Sequence, residues 1–383
     1  MIRVIIQSVI SLGVKVVRCN CLNSLFHISL VLALSATTSN TFADVQGPIV
    51  VLGPNVPKQT RTIDNWTKWK ASRFDLRGSQ FVGIDFSNSS FDNCDLDGVR
   101  FVQCNMARCS FQNANFRGAE LSEVDFEDAD FSGARINGIK RRDRTGVLCL
   151  TDRQIKSTWS YRNRDMAHCI ISRYQFVDQP DFQPRLDLSG IDLSNSAFEV
   201  GDFSMCDFQN AEILNVLFYQ AKVDVEQLES TKTFQRKSLY GVQFSRDEVD
   251  GKLSLVGCDI RNCRLYIQPK TDMHNARIEG AELHRLSFEQ LKTTASYKLG
   301  LIPNAVFTRS DFSGGDFTGI NLTGCRFLSC DFSNAKFDDA VISGVEIASK
   351  TRGLTKEQVQ STWNAKHNRL DTATLPKELA NGD

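Results

Sequence analysis

From Leu76 to Ile136 an apolar residue returns every five positions, a spacing that neither a regular helix nor a regular strand can keep on one face. The series runs Leu76, Phe81, Phe86, Phe91, Leu96, Phe101, Met106, Phe111, Phe116, Leu121, Phe126, Phe131, Ile136. A small or apolar residue stands two positions before most centres, as in Cys94, Cys104, Cys109, Ala114, Ala119 and Ala129. Asp or Asn often precedes the centre directly (Asp85, Asp95, Asn105, Asn115, Asp125, Asp130), and Gly, Asn or Asp often follows two later. The chain holds 26 Phe against 6 Tyr and 4 Trp, as expected if one apolar position is filled over and over by one residue type. Repetition at a fixed period is the signature of a solenoid, in which each unit buries its apolar face only by stacking on the next.

Cys94-Asp-Leu-Asp-Gly98 and Ala129-Asp-Phe-Ser-Gly133 match the motif A(D/N)LXX, and the chain resembles the pentapeptide-repeat family. That resemblance implies a mainly β fold, a right-handed quadrilateral β-helix with one wall per repeat and twenty residues per turn. The centre and the residue two before it would point inward. Three further blocks carry the pattern: Leu188 to Phe218, an irregular stretch from Leu239 to Leu283, and Phe307 to Ile347. In the irregular stretch Ile260, Leu265 and Ile278 serve as centres, with extra residues expected near Asp250 and Ile267.

A second repeat separates the blocks. Thr151, Asp224, Ser287 and Thr355 each stand three before a Gln (Gln154, Gln227, Gln290, Gln358), the spacing of a helix capping box. Each is bracketed by an apolar pair that could staple the cap: Leu150/Ile155, Val223/Leu228, Leu286/Leu291 and Leu354/Val359. Similar tails follow at 157–159, 230–232, 293–295 and 361–363. The spacing predicts four solenoid blocks, each ending in a short capped helix that covers an open end of the coil, with Phe288 helical rather than a repeat centre. Trp66, Trp69, Trp159 and Trp363 lie outside the repeat runs and are expected to cover such ends. The expected division is a signal peptide at 1–43, a linker or cap at 44–73, and four block-plus-helix segments at 74–172, 173–237, 238–300 and 301–370. A tail at 371–383 closes the chain.

Before Asp44 there is no acidic residue. Arg3, Lys15 and Arg18 precede an apolar run from Leu22 to Ala36, and Thr41-Phe-Ala43 offers a cleavage site. The expectation is export to the periplasm or beyond, with cleavage after Ala43. An uncleaved anchor, or a start placed too early, is the alternative. No later stretch is apolar enough to span a bilayer.

Catalytic signatures are missing from the sequence. Neither G-x-S-x-G nor H-E-x-x-H occurs, and no phosphate-cradling glycine loop or zinc spacing is present. The expectation is therefore no catalytic, cofactor-binding or metal-binding residue and no cofactor. His168, His274, His284 and His367 stand in no nucleophile motif. Cys94, Cys104, Cys109, Cys206, Cys258, Cys263, Cys325 and Cys330 fall on the small inward position, where Cys acts as a small hydrophobe. Cys149 and Cys169 lie off the repeat and are the one pair weighed for a disulfide. Lys140, Arg141, Arg142 and Arg144 form a basic cluster that reads as a solvated loop, with a docking patch for an anionic partner as the alternative.

Lys plus Arg number 45 and Asp plus Glu 45, a balance that argues against a nucleic-acid binder. These observations point to a non-enzymatic exported scaffold or interaction module with a protein partner. Two other classes compete. Some pentapeptide-repeat proteins imitate duplex DNA and bind topoisomerases, but the neutral charge, the signal segment and the helices all depart from that type. The other is a cell-envelope enzyme built on the irregular 239–283 region.

Overall fold

Each wall of the coil is set by a local hydrogen-bond cycle. The Asp or Asn before the centre accepts from the N–H two residues on, as in Asp85 with Ser87 (2.9 Å), Asn105 with Ala107 (3.0 Å) and Asp311 with Ser313 (3.0 Å). This is an Asx turn, and it explains the residue choice at that position. The centre's carbonyl then closes the corner by accepting from the N–H three residues later, as in Ser89 N to Phe86 O at 2.9 Å. The corner residue between them takes a left-handed conformation (Asn88 φ 60°, Asn113 φ 58°, Gly98 φ 67°), which Asn and Gly tolerate best.

The computed structural model describes residues 49–53, 66–141, 150–172, 185–245, 249–250, 253–348, 350–376 and 379. The signal segment, Arg142, Arg144, Cys149 and the last residues of the tail lie outside them. The chain forms two compact units, residues 1–163 and 164–383. Residues 164–172, which the sequence groups with the first block, fall in the second unit.

In the first unit strands β2 (Gln80–Val82), β3 (Arg100–Val102), β4 (Glu120–Ser122) and β5 (Lys140–Arg141) pair in parallel, each residue with the one twenty further on. The other walls keep the same register through single bridges such as Asp75 to Asp95 and Ser90 to Ser110. Inside, Phe91, Phe111 and Phe131 stack face to face, with centroids 5.1 and 5.2 Å apart. The twenty-residue turn is thus a right-handed four-sided β-helix with an aromatic spine. A strand before it, β1 (Ile49–Val51), adds antiparallel to β2 and satisfies the first free edge. Trp66 and Trp69 lie buried against Phe81, Phe86 and Phe91, closing the apolar end.

The second unit carries one parallel ladder from β6 (Ile170–Ser172) to β15 (Glu346–Ile347). It passes unbroken through the last three blocks. The irregular stretch belongs to the same coil. Its turn from Arg264 to Glu282 is 18 residues, short rather than long, because the wall between Leu265 and Gln268 is cut short; the Gln268–Thr271 corner itself keeps the usual bond, Thr271 N to Gln268 O. No extra residue is needed at Ile267.

All four capping boxes form, with Thr151, Asp224, Ser287 and Thr355 as N-caps of α1 (Asp152–Ser157), α3 (Val225–Ser230), α5 (Phe288–Leu291) and α7 (Lys356–Gln360). Each is followed by a second helical turn: α2 (Trp159–Arg162), α4 (Lys232–Gln235), α6 (Ala295–Lys298) and α8 (Trp363–Lys366). The buried Thr between them (Thr158, Thr231, Thr294, Thr362) donates to the first turn and caps the second. Phe288 is both helical and in ladder position, since its N–H reaches Asp311 O at 2.8 Å.

These helix pairs do not all end blocks, as the sequence suggested. α3–α4 and α5–α6 stand in line within the ladder, because their side chains supply the bonds a wall would make. The Gln of each box donates from Nε2 to two coil carbonyls beneath it: Phe126 and Ala129, Phe203 and Cys206, Gln268 and Thr271, Phe332 and Ala335. A side chain two residues after the shared Thr accepts the N–H of an Ile centre below: Ser160 from Ile136, Thr233 from Ile213, Ser296 from Ile278, Asn364 from Ile342. The second helical turn is an excursion that the chain closes on itself, as in Ser238 N to Thr233 O and Leu301 N to Ser296 O. It lengthens the turn, so Leu217 pairs with Gln243 and Glu282 with Val306, rather than with residues twenty on.

Candidate functional surface

The side chains that could carry chemistry are nearly all committed to the coil. The cysteines on the repeat are buried, and most donate to a carbonyl of the preceding turn: Cys94 to Ala71 at 3.0 Å, Cys109 to Phe86 at 3.0 Å, Cys325 to Ile302 at 2.8 Å. Burial pushes the thiols of Cys94, Cys109 and Cys325 up to about 12 and those of Cys104 and Cys330 up to about 11. Cys169 is buried too, while Cys149, the residue weighed with it for a disulfide, lies outside the described residues. A thiolate is the reactive form, so these groups are protected by both access and ionisation. With a thiol reagent at pH 8, peptides bearing Cys94, Cys109 and Cys325 should stay unlabelled by mass spectrometry until denaturant is added. Labelling of the native protein at these positions would mean that they do not face the core.

Histidine offers little more. His284 lies on the outer side of β12 (Glu282–His284), stacked on Tyr266 with centroids 4.1 Å apart, and bonded to Glu282 Oε1 at 3.0 Å. Burial lowers its pKa despite the Glu282 bond, and Arg264 and Arg309 add to the lowering. This trio is the most enzyme-like feature of the irregular region. It lies along one flat wall, and the imidazole is held by stacking and by its own strand. His367 stacks on Trp363 and bonds its carbonyl. Among the described residues no group of three or more His, Cys, Asp or Glu is placed to hold a metal ion.

The carboxylates before the centres serve the Asx turns. Hydrogen bonds from Ser189, Arg261, Thr318 and Ser333 hold Asp187, Asp259, Asp316 and Asp331 below the usual carboxylate range. A depressed folded pKa stabilises above the unfolded value and is lost as pH falls through the folded one, so these turns weaken only in acid.

Trp159 and Trp363 are half-exposed on the excursion turns rather than plugging the core. The Arg135 guanidinium lies 4.1 Å over the Trp159 ring, and Arg369 lies over Trp363. The sequence flagged these residues as end covers and could not show that they face outward. Among the described residues, two surface features stand out from the repeat chemistry. One is a cleft of about 520 Å³ in the first unit, where α1 meets the wall, lined by Asp128, Ala129, Asp130, Phe131, Arg153 and Gln154 among others. The other is a pair of exposed leucines, Leu299 and Leu301, in the second. The sequence reading missed both. No local pattern marks the cleft, and the leucines stand out only once their turn is seen to project.

The family of pentapeptide repeat regions matches residues 67–140, and the family of pentapeptide repeats, in 8 copies, matches 304–345. A comparison with curated proteins gives no match. Among solved structures, the chain is similar to HetL, a pentapeptide repeat protein involved in heterocyst differentiation regulation from the cyanobacterium Nostoc. Identity there is 14%, over 77% of this chain and 91% of that one, with a TM-score of 0.16. It is also similar to full-length QnrB1, a plasmid-mediated fluoroquinolone resistance protein, at 17% identity over 70% of this chain and 92% of that one, with a TM-score of 0.16. No helix of the described residues is long and apolar enough to cross a membrane. Pentapeptide repeats are thus matched in both units, and a parallel β-helical ladder runs through each.

Proposed function

We propose that this protein is a non-enzymatic scaffold that is exported by its N-terminal segment and binds a protein partner on its outer surface. The observation that carries the reading is where the polar groups are used. Asp and Asn close turns, Gln and Thr complete the ladder around the helices, Cys fills the core, and His284 is stacked into a wall. What is left to the surface is broad, charge-balanced wall, suited to a large partner rather than a small substrate. Neutral overall charge favours a protein over a nucleic acid.

The test is crosslinking capture from envelope fractions with the tagged protein, followed by N-terminal sequencing of the bait. The expected result is a retained protein at fixed stoichiometry and a bait beginning at Asp44. A bait found in the cytosol with its first residues intact would overturn the export half of the reading. Capture of no protein under crosslinking would overturn the binding half.

A further inference from the structure

The four helix pairs are equivalent by hydrogen bonding, so each position can be compared across four copies within one molecule. The residue that ends the second helical turn is Asn163, Arg236, Leu299 or His367. Three copies are polar. In the third, Leu299 is 72% exposed, and Leu301 two residues on is 42% exposed. The last helical residue of that copy, Lys298, bonds the neutral Asn275 Oδ1 at 2.9 Å. Its counterpart in the fourth copy, Lys366, pairs with the Asp339 carboxylate at 2.7 Å. The third excursion therefore ends in an apolar tip beside a cation that no carboxylate among the described residues neutralises, a combination that desolvates well only against an apolar surface edged with negative charge.

The same comparison applies beneath the first helix of each pair. The carbonyls that receive the Gln side chain belong to Ala129, Cys206, Thr271 and Ala335. The residues on either side of these are Asp128 and Asp130, Met205 and Asp207, Lys270 and Asp272, and Asn334 and Lys336. Only the first copy carries two carboxylates, and it is there that the cleft of about 520 Å³ opens, with Ala129 and Phe131 in its lining. Arg153 offsets one of the two charges, leaving the cleft with a net charge opposite to that of Lys298.

We propose that the protein self-associates head to tail, the Leu299 tip of one copy entering the Asp128–Asp130 cleft of a second copy. This rests on the scaffold reading and names one partner for it, another copy of the chain. Tip and cleft are different surfaces, so the contact is heterologous. It continues into a chain or ring unless its rotation closes at once. Leu299 supplies the buried apolar contact, and Lys298 fixes polarity by facing the two carboxylates.

Sedimentation of the purified full chain, up to on the order of 100 µM, tests this directly. The wild type should form species heavier than a dimer as concentration rises. Leu299→Asp and Asp128→Lys should each sediment as monomers, with association weakened by about tenfold or more. The deciding measurement is their equimolar mixture. Leu299→Asp retains the cleft and Asp128→Lys retains the tip, so the mixture should give a one-to-one dimer and nothing larger, which also shows that both variants are folded. A wild type that stays monomeric throughout overturns the proposal. So does a single variant that associates like the wild type, or a mixture that remains two monomers. A monomeric wild type that still captures a different protein from the envelope would overturn only this inference and leave the scaffold reading intact.

Discussion

Replacing Phe111 with Ala is expected to destabilise the first unit by about 3–5 kcal/mol, the range for truncating a fully buried aromatic ring. Phe111 is fully buried. It stacks on Phe91 and Phe131 at 5.1 and 5.2 Å and meets Phe116 and Phe126 edge-on or tilted at 5.1 and 5.8 Å. The ladder bonds hold successive turns at fixed spacing, so the walls cannot collapse far into the space left behind. The cost should sit near the top of that range. Phe111→Leu keeps most of the volume and should cost about 1–2 kcal/mol. Guanidinium unfolding followed by tryptophan emission reads the first unit well, since Trp66, Trp69 and Trp159 belong to it. A loss below about 1 kcal/mol for the Ala variant would mean the aromatic spine does not support the coil.

Gln154→Leu should cost about 2–5 kcal/mol, more than the loss of an ordinary helix cap, because one amide serves two structures. Its Oε1 accepts the Thr151 N–H at 2.9 Å, which completes the capping box. Its Nε2 donates to Phe126 O at 3.0 Å and Ala129 O at 2.9 Å. Leucine fits the space but takes the side-chain donor from both carbonyls; Phe126 O keeps the Ala129 N–H at 3.1 Å, whereas Ala129 O loses the Gln154 donor, at about 1–3 kcal/mol on top of the lost cap. Gln154→Glu sharpens the test. A carboxylate would keep the cap but aim lone pairs at the two carbonyls, so the folded state would favour its protonated form and raise its pKa. A raised folded pKa stabilises below the unfolded value and is lost as pH rises through the folded one. The Glu variant should therefore lose most stability near neutral pH and regain part of it toward pH 4, where the wild type gains nothing. A Glu variant with a flat pH profile between pH 4 and 7 would show that the side chain does not face those carbonyls.

Gln154 also shows how far the sequence could be read. Its spacing from Thr151 is a local signal, carried by four residues and repeated at Gln227, Gln290 and Gln358. The helix starts could therefore be placed to the residue. The period of five is local in the same sense, since the Asx turn and the left-handed corner close within each repeat. Together they determined a solenoid of five-residue units and the four capped helices; the four-sided coil, its twenty-residue turn and the inward cysteines were what the resemblance to the pentapeptide-repeat family implied. The second Thr cap was visible as a repeated Ser-Thr or Thr-Thr tail, but its role was not.

Tertiary structure decided the rest, for one physical reason: the ladder bonds join residues a whole turn of the coil apart, and no window of sequence shows which wall a helix will replace. Only the folded coil reveals that Gln and the residue two after the second cap take over the bonds of a strand. That lets α3–α4 and α5–α6 stand inside a continuous ladder instead of ending it. The same distance effect hides the surface. Leu299 is one leucine among many in the sequence, and it becomes an exposed tip because the chain must leave the wall and return to it, closing through Leu301 and Ser296.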